Sequence, residues 1–436
     1  MALPNFYHGD LTVFWGWMRY WIQNWHAIYR NCAGCNYPIL GMISSAGLLS
    51  LFRNAGYQKA VFVFRVILGI TDGLNVVLIF LLFKELTIEK ASFWAGIIGL
   101  LLSSWVGGAL WGQIDGIALL FILIALFWII RNNSKETLAK KNFSFYILSI
   151  SYILGSILLI KQLTIFSLVS IGFLLITNIF FFTRDIRRTA PYVLFMLVAI
   201  LISITIWDPF LYLKAPYFSH LIYIFETGSN HANIISGNGF NIWVFLGRNM
   251  WSSSHISFLS LGSKNNSFSQ FFTPFVAGLF LFLVFNLITF FSFYLFLKNR
   301  YMAGERYLNR EILLCFIFHL ALVNLSFNVF LTGTHERYLY FFYPFILLAC
   351  LGLGKYNKYF LKVIPFLIFG ATLYGLFVLW FLSGVSIPLG YTPFWILSLF
   401  HLGLLLYFFQ LALKYQNFKQ NLMFIAKSER VKIVDG

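Results

Sequence analysis

The chain has 436 residues, of which 60% are apolar, 20% are aromatic and only 10% are charged. A soluble globular protein has roughly 25% charged and about 45–50% apolar residues, so this composition, with a mean hydropathy of +0.81, excludes that class. The formal net charge is +17, but no basic and aromatic motif on a soluble domain predicts nucleic-acid binding. A polytopic helical membrane protein remains, because its apolar runs of about 20 residues match a hydrocarbon core of ~30 Å.

The first 60 residues contain two segments that suit the membrane interface. Residues 10–30 alternate Trp, Tyr and apolar residues with polar ones, which predicts an amphipathic helix at headgroup level. The apolar run at 38–52 is short and begins at Pro38, so we predict that it lies along or dips into the interface.

Beyond this region, apolar runs recur to the end of the chain. We predict an all-α fold with about 11 transmembrane helices, at 61–83, 91–109, 117–130, 143–160, 163–182, 190–207, 273–297, 311–332, 339–353, 363–384 and 394–414. The predicted parts of the chain are an outer loop with interfacial helices, an N-terminal transmembrane module, a second outer loop or subdomain, and a C-terminal transmembrane module with a cytoplasmic tail, at 1–60, 61–207, 208–272 and 273–436.

The cations of the connections predict the orientation. Of the 31 Lys and Arg residues, 21 lie in alternate connections and in the C-terminal tail, which the positive-inside rule assigns to the cytoplasm. Residues 1–60 and 208–272 then face the extracytoplasmic side, and we expect the plasma membrane of a prokaryote. Residues 1–9 are too few for a signal peptide or a first span, so either the N-terminus is translocated without help or a first span is missing.

Of the four cysteines, two lie in the predicted outer loop and two in predicted spans. Cys32 and Cys35 form a CxxC on the predicted outer side, where a local disulfide can form. A single CxxC without a second pair is weak support for a zinc site. Cys315 and Cys350 lie in apolar spans and are expected to be small core residues.

Charged groups at a membrane boundary cost several kcal/mol unless they face a polar cavity, so they are candidate functional residues. His8 and Asp10 precede the aromatic segment, where Asp10 either caps a helix or serves as a general base for an incoming hydroxyl. Tyr37 precedes Pro38 and is either an interface anchor or part of a pocket.

Two further interruptions separate predicted spans on the same side. Gln113 and Asp115 lie in a Gly-rich segment that forms either a simple turn or the lining of a polar pocket. Lys161 and Gln162 break an otherwise continuous apolar stretch at a place where Gly, Asn or Pro usually forms the turn. A lysine at this boundary can offer its charge to a phosphate.

The last candidate segment is His335-Glu336-Arg337, between two predicted spans. Three consecutive ionisable residues at a membrane boundary are unusual for a plain turn. His335 could donate a hydrogen bond or shuttle a proton, and Arg337 could bind an anion.

In chain order, HGD with an aromatic helix, NYP, GQxD, KQ and HE resemble the GT-C superfamily of multi-span glycosyltransferases, which use polyprenyl-phosphate-linked sugars. They resemble in particular the dolichyl-phosphate-glucose-dependent glucosyltransferases and prokaryotic mannosyltransferase-like relatives, in which a segment like Asn241-Ile242-Trp243 precedes a span. The chain departs from the family in NYPI, where the family has a double proline, and in the absence of a span before Asp10. The resemblance implies that Asp10 is the catalytic base and that Lys161, His335 and Arg337 lie near the donor phosphate.

The family resemblance implies transfer of a hexose, mannose or glucose, from a polyprenyl-phosphate donor to a glycan, lipid or protein acceptor, with inversion at the anomeric carbon. The expected pocket or acceptor residues are His8, Tyr37, Gln113, Asp115 and Glu336. No cofactor is required, although Asp10 and Asp115 could bracket a divalent metal. A lipid or solute transporter or flippase is the rival class, but its typical internal repeat is not evident in the sequence. A membrane scaffold is a third class, which the His-Glu-Arg cluster disfavours.

Overall fold

The computed structural model describes residues 9–25, 28–32, 34–133, 143–161, 164–208, 219, 222–223, 226, 232–237, 239–246, 252–255, 273–305, 308–383 and 392–415. Helices account for 83% of these described residues, and no strand occurs among them. The predicted all-helical class is therefore confirmed.

The main helices are numbered here in chain order. They are α1 (Gly9–Asn24), α2 (Ile39–Ser50), α3 (Tyr57–Glu85), α4 (Ala91–Leu100), α5 (Asp115–Arg131), α6 (Phe143–Ile160), α7 (Ile165–Thr183), α8 (Ile186–Thr205), α9 (Pro274–Met302), α10 (Arg310–Phe330), α11 (Phe342–Leu353), α12 (Ile364–Ser383) and α13 (Thr392–Tyr415). Short helical segments at Ile28–Asn31, Arg53–Ala55, Leu102–Ser104, Val106–Leu110, Ile242–Leu246, Glu336–Phe341 and Tyr359–Lys362 connect them.

Within the described ranges, seven helices are long and apolar enough to cross a membrane: α3, α6, α8, α9, α10, α13, and α12 together with the segment before it. Each corresponds to one of the predicted spans. The other four predicted spans are helical but shorter or interrupted, at α4, α5, α11 and the Ile165–Phe181 part of α7. In the clearest case, predicted span 91–109 ends as an α-helix at Leu100 and continues as a 3₁₀ and a π turn. The count of eleven is therefore not confirmed.

Helix α10 lies at the centre of the bundle. All of its residues from Ile312 to Phe330 are buried, and it packs against α7, α9, α11 and α13. By contrast, α9 leaves Phe280 and Leu287 64% and 67% exposed. Large apolar side chains on one face of a long helix are expected where that face meets lipid rather than water.

The ends of the helices converge in two groups. Just after the C-terminal end of α7, Arg184 Nη2 donates to the Glu305 carbonyl at 2.6 Å. Just after the C-terminal end of α5, Asn133 donates to the Leu308 carbonyl. These bonds gather the C-terminal ends of α5, α7 and α9 beside the start of α10. The start of α5, the end of α6 and the turn after α10 meet at the opposite end, where the candidate residues lie.

Helix α1 is amphipathic, as predicted. Leu11, Phe14 and Trp17 are buried, whereas Thr12, Arg19 and Gln23 are exposed. The helix packs along α2, and the loop between the two helices contains a disulfide that joins Cys32 to Cys35.

Candidate functional site

Asp10 lies in the first turn of α1, where free backbone N–H groups favour a negative charge. The adjacent Leu11 packs on Gly112, whose φ is +85° and where an added Cβ would lie 2.5 Å from the Leu11 side chain. Glycine is needed there both for the left-handed backbone and for the close approach. The contact holds the start of α1 against the turn that leads into α5.

Asp115 is the first residue of α5 and is fully buried. It forms an ion pair with Lys161, and the two side chains are 0% and 3% exposed. Lys161 follows the last residue of α6, so this pair joins the start of one helix to the end of another. Loss of one partner from a buried pair typically costs about 3–5 kcal/mol, because it leaves the other charge uncompensated.

Arg337 lies between Asp10 and Asp115. Its Nη1 is 3.5 Å from Asp10 Oδ2, and its Nε is 4.0 Å from Asp115 Oδ2. Asp10, Asp115, Lys161 and Arg337 thus form one group without net formal charge, the charged cluster. Within it the Asp10 side chain is 33% exposed and Arg337 only 10%. Asp10 is therefore the carboxylate that an incoming molecule can reach.

Aromatic rings surround the two cations of the charged cluster. The amine of Lys161 lies 5.8 Å from the ring centre of Tyr37 and 5.7 Å from that of Tyr338. The guanidinium carbon of Arg337 lies 5.5 Å from the Trp111 ring and 5.8 Å from the Tyr338 ring. Cation–π contacts at these distances stabilise the charges where water is largely excluded.

Several polar atoms at this site have no hydrogen-bond partner within the described part of the chain. They are Asp115 Oδ2, Arg337 Nε, Trp111 Nε1 and Gln113 Nε2, all of them buried. The other side-chain atom of the glutamine, Oε1, does accept a hydrogen bond, at 3.0 Å from the Tyr37 hydroxyl. A buried polar group without a partner costs about 1–3 kcal/mol. Three of the four atoms are donors, so the site suits a ligand rich in acceptor oxygens, such as a sugar or a phosphate ester.

Burial also affects the protonation of two groups beside this site. It raises the pKa of the Tyr37 hydroxyl well above its usual value, so the hydroxyl stays a neutral donor to Gln113. Burial lowers the pKa of the Lys161 amine, and the neighbouring Asp115 counteracts part of that change. Protonation of the lysine therefore depends on its partner.

The turn after α10 is braced by the Asn-x-Trp segment. Asn241 Nδ2 donates to the Leu331 carbonyl at 3.2 Å and to Thr334 Oγ1 at 3.1 Å. Trp243 Nε1 donates to the carbonyl of Phe330, the last residue of α10, at 2.6 Å. The segment fixes the backbone from which the next 3₁₀ helix, Glu336–Phe341, starts.

Three predicted site residues, His335, His8 and Glu336, are not part of the charged cluster as described. The His335 ring lies 5.3 Å from the Tyr338 ring and covers Gly237, where an added Cβ would come within 2.4 Å of it. His335 therefore packs beside the site, against Tyr338 and Gly237. His8 and the side chain of Glu336 lie outside the described residues.

A second polar group lies directly behind Asp115. Asp72, inside α3, accepts hydrogen bonds from the Tyr340 hydroxyl at 2.7 Å and from the Ala109 N–H at 3.0 Å. Asn75 Nδ2 donates to the Gly116 carbonyl at 3.0 Å. Asp72 lies inside predicted span 61–83, but its partners lie far away along the chain, so no local motif connects them.

Metal binding and known relatives add no further assignment. Among the described residues, no group of three His, Cys, Asp or Glu side chains is placed to hold a metal ion. Comparison of the chain with protein-family models, curated proteins and solved structures finds no match.

Proposed function

We propose that this protein is a membrane glycosyltransferase that moves a hexose, mannose or glucose, from a polyprenyl-phosphate donor to an acceptor hydroxyl. The observation that supports the proposal most strongly is the charged cluster. Its four residues come from motifs separated by up to 327 positions, yet Asp10 contacts Arg337 and Asp115 contacts Lys161. Asp10, Asp115 and Lys161 belong to the motifs that resemble the GT-C enzymes, and Arg337 directly follows the last of these motifs.

Asp10 is the general base in this mechanism, because it is the accessible carboxylate of the charged cluster. The acceptor hydroxyl attacks the anomeric carbon from the face opposite the phosphate, and its proton passes to Asp10. The bond between the anomeric carbon and the phosphate oxygen breaks, and polyprenyl phosphate leaves with its negative charge increased by one. A single displacement of this kind inverts the anomeric configuration.

Proton transfer to Asp10 removes one negative charge from the charged cluster while the phosphate leaves. While Asp10 is ionised, the two carboxylates neutralise Arg337 and Lys161. Once Asp10 takes the proton, the guanidinium 3.5 Å from it keeps an uncompensated positive charge. That charge then stabilises the leaving phosphate more in the transition state than in the ground state. This mechanism requires no metal, and transfer should persist in the presence of a chelator.

We further propose eleven crossings, with the charged cluster on the extracytoplasmic face and the C-terminus in the cytoplasm. The gathering of Arg184, Arg300 and Arg310 at the end of the bundle opposite the charged cluster supports this orientation, since cations favour the cytoplasmic side. The shorter helices α4, α5, α7 and α11 complete the count of crossings.

One observation favours the rival function, transport of a lipid or solute: Asp72 lies inside α3, where a coupling ion could be bound. Both Asp72 oxygens, however, already accept hydrogen bonds within the protein, at 2.7 and 3.0 Å. A group with satisfied bonds suits a structural link better than a site that must load and release an ion. Proteoliposome uptake would be the signature of the rival.

The test is a transfer assay with a panel of donors. Membranes that contain the protein are incubated with radiolabelled polyprenyl-phosphate mannose, polyprenyl-phosphate glucose and the corresponding nucleotide sugars, and the products are extracted. We expect label in an acceptor fraction, with release of polyprenyl phosphate, for one lipid-linked donor and for neither nucleotide sugar. Label transferred from no lipid-linked donor, or equally from a nucleotide sugar, would contradict the proposal.

A further inference from the structure

Arg65 is a buried cation that the proposed mechanism does not use. It lies in the long apolar helix α3 and is only 7% exposed. Its Nε and Nη2 are buried and have no hydrogen-bond partner within the part of the chain that the structure describes. An arginine inside a membrane-spanning helix is costly and normally pairs with an anion.

The surroundings of Arg65 place it at the border between the protein core and the lipid-facing side of α3. Phe64 and Leu68, on the core side, are fully buried. Phe62 and Val66 lie on the opposite, outward-facing side of the helix and are 61% and 45% exposed. A lipid that lies against this exposed side of α3 is therefore adjacent to Arg65.

Arg65 also lies near the charged-cluster end of α3. The helix begins at Tyr57, whose hydroxyl lies 3.2 Å from Thr12 Oγ1 of α1. Eight residues separate Arg65 from this end, on the order of 12 Å at the α-helical rise. The neighbouring Phe64 ring lies 6.3 Å from the Phe14 ring of α1. Arg65 is thus next to the helix that carries the proposed base.

A phosphate ester that binds at the charged cluster needs a further cation that no carboxylate neutralises. Asp10 and Asp115 already neutralise Lys161 and Arg337, so a phosphate ester that binds there adds uncompensated negative charge. Arg65 is a cation that no described carboxylate pairs with. A guanidinium binds phosphate oxygens through two parallel N–H donors.

We propose that Arg65 binds the phosphate of a membrane lipid at the lipid-facing border of α3, and that this lipid is the polyprenyl phosphate of the donor. The identity of the lipid rests on the proposed function, whereas the need for a lipid phosphate rests on the unpaired guanidinium. Bulk anionic phospholipid offers the same chemistry and is the alternative source of the phosphate.

The experiment measures lipid binding by native mass spectrometry on delipidated, purified protein. The three lipids are polyprenyl phosphate, the polyprenol of the same length and phosphatidylglycerol. The variants are Arg65→Gln and Arg65→Lys, with Lys84→Gln as the matched control, because Lys84 lies at the opposite end of the same helix over the Phe80 ring.

We expect polyprenyl phosphate to bind Arg65→Gln roughly 10- to 100-fold more weakly than wild type, the loss typical of a charge-assisted hydrogen bond. Arg65→Lys should lose less, Lys84→Gln nothing, and polyprenol should show no dependence on Arg65. If only phosphatidylglycerol binding falls, the phosphate site stands with bulk phospholipid as its occupant. Unchanged binding of both phosphate lipids to Arg65→Gln overturns the proposal.

Thermal unfolding separates a ligand-binding role from a structural one. In delipidated protein, Arg65→Met should unfold at the same or a higher temperature than wild type, because it removes an unpaired buried charge. A lower unfolding temperature would mean that the guanidinium holds the fold together, which contradicts the proposal. Neither measurement needs turnover, so a chain that transfers no sugar but binds lipid through Arg65 would refute only the proposed function.

Discussion

Each end of the helical bundle holds an arginine between two carboxylates, but only one of these arrangements is complete. Where α9 meets α10, Arg300 donates to Glu305 at 3.1 Å and also to Glu311. The remaining oxygens of these two glutamates accept hydrogen bonds from Asn309 at 2.7 Å and from Tyr415 at 2.5 Å. Every carboxylate oxygen of this structural network therefore has a donor, as expected for groups whose task is to hold helix ends together.

At the other end, several buried polar atoms in and around the charged cluster lack a hydrogen-bond partner among the described residues. Asp115 Oδ2 and Arg337 Nε are buried without a hydrogen bond in the described part of the chain, as are Trp111 Nε1 and Gln113 Nε2. The comparison teaches that an arginine paired with two carboxylates does not by itself mark a functional site. Unmet hydrogen-bonding capacity around the charge distinguishes the end that can take a ligand from the end that stabilises the fold.

The largest effect is expected for Asp10→Asn. Loss of a positioned general base typically lowers a rate by 10²–10⁴-fold, and we expect transfer from the correct donor to fall by that factor. Because the side chain is 33% exposed, the unfolding temperature should change little. The measurement is the initial rate of label transfer per folded protein, and near-wild-type activity would remove Asp10 from the mechanism.

Glu311→Gln is the matched control at the complete end. It weakens the bonds to Arg300 and Tyr415, so we expect a loss of stability on the order of 1–3 kcal/mol. The transfer rate per folded protein should stay at the wild-type level. A drop in that rate comparable to that of Asp10→Asn would erase the distinction between the two ends.

A double variant separates charge pairing from catalysis within the charged cluster. Asp115→Asn should lower the free energy of unfolding by about 3–5 kcal/mol, because Lys161 is left buried and unpaired. Addition of Lys161→Met should recover most of this stability without recovery of transfer. Denaturation monitored by tryptophan fluorescence tests the first part, and a double variant no more stable than Asp115→Asn would show that the pair is not coupled in this way.

The smallest effect is expected for Trp111→Phe. The ring remains able to cover Arg337, but the indole N–H, which has no partner in the described structure, is lost. We expect an increase in the KM for the donor of about tenfold, with little change in stability. Trp105→Phe is the contrast, because its N–H donates to the Gly99 carbonyl at 2.5 Å. That variant should lose stability and keep its KM.

The helical class and most long spans were predictable from sequence, because hydropathy over about 20 residues reports directly on burial in lipid. Predicted span 91–109 was not, since the sequence SSWVGGAL is apolar on average while its backbone passes through 3₁₀ and π turns. Those turns lie where the Ala109 N–H meets the Asp72 carboxylate, a contact that no local pattern reveals.

The candidate site was predictable only in part. Asp10, Asp115, Lys161 and Arg337 stand out because charges at a membrane boundary are rare, and they lie together in the structure. Which carboxylate stays accessible depends on long-range packing, and so does the unpaired state of Arg65. Aromatic residues such as Tyr338 cannot be distinguished by composition in a chain with 20% aromatic residues.

The most direct test compares Arg337→Gln with Arg300→Gln in one transfer assay, because both variants remove an arginine that lies between two carboxylates. Loss of a group that stabilises the transition state typically costs about 10²–10³-fold. We predict that Arg337→Gln loses transfer by this factor, whereas Arg300→Gln loses stability and keeps the wild-type rate per folded protein. Equal transfer rates in the two variants would contradict the assignment of the charged cluster as the catalytic end.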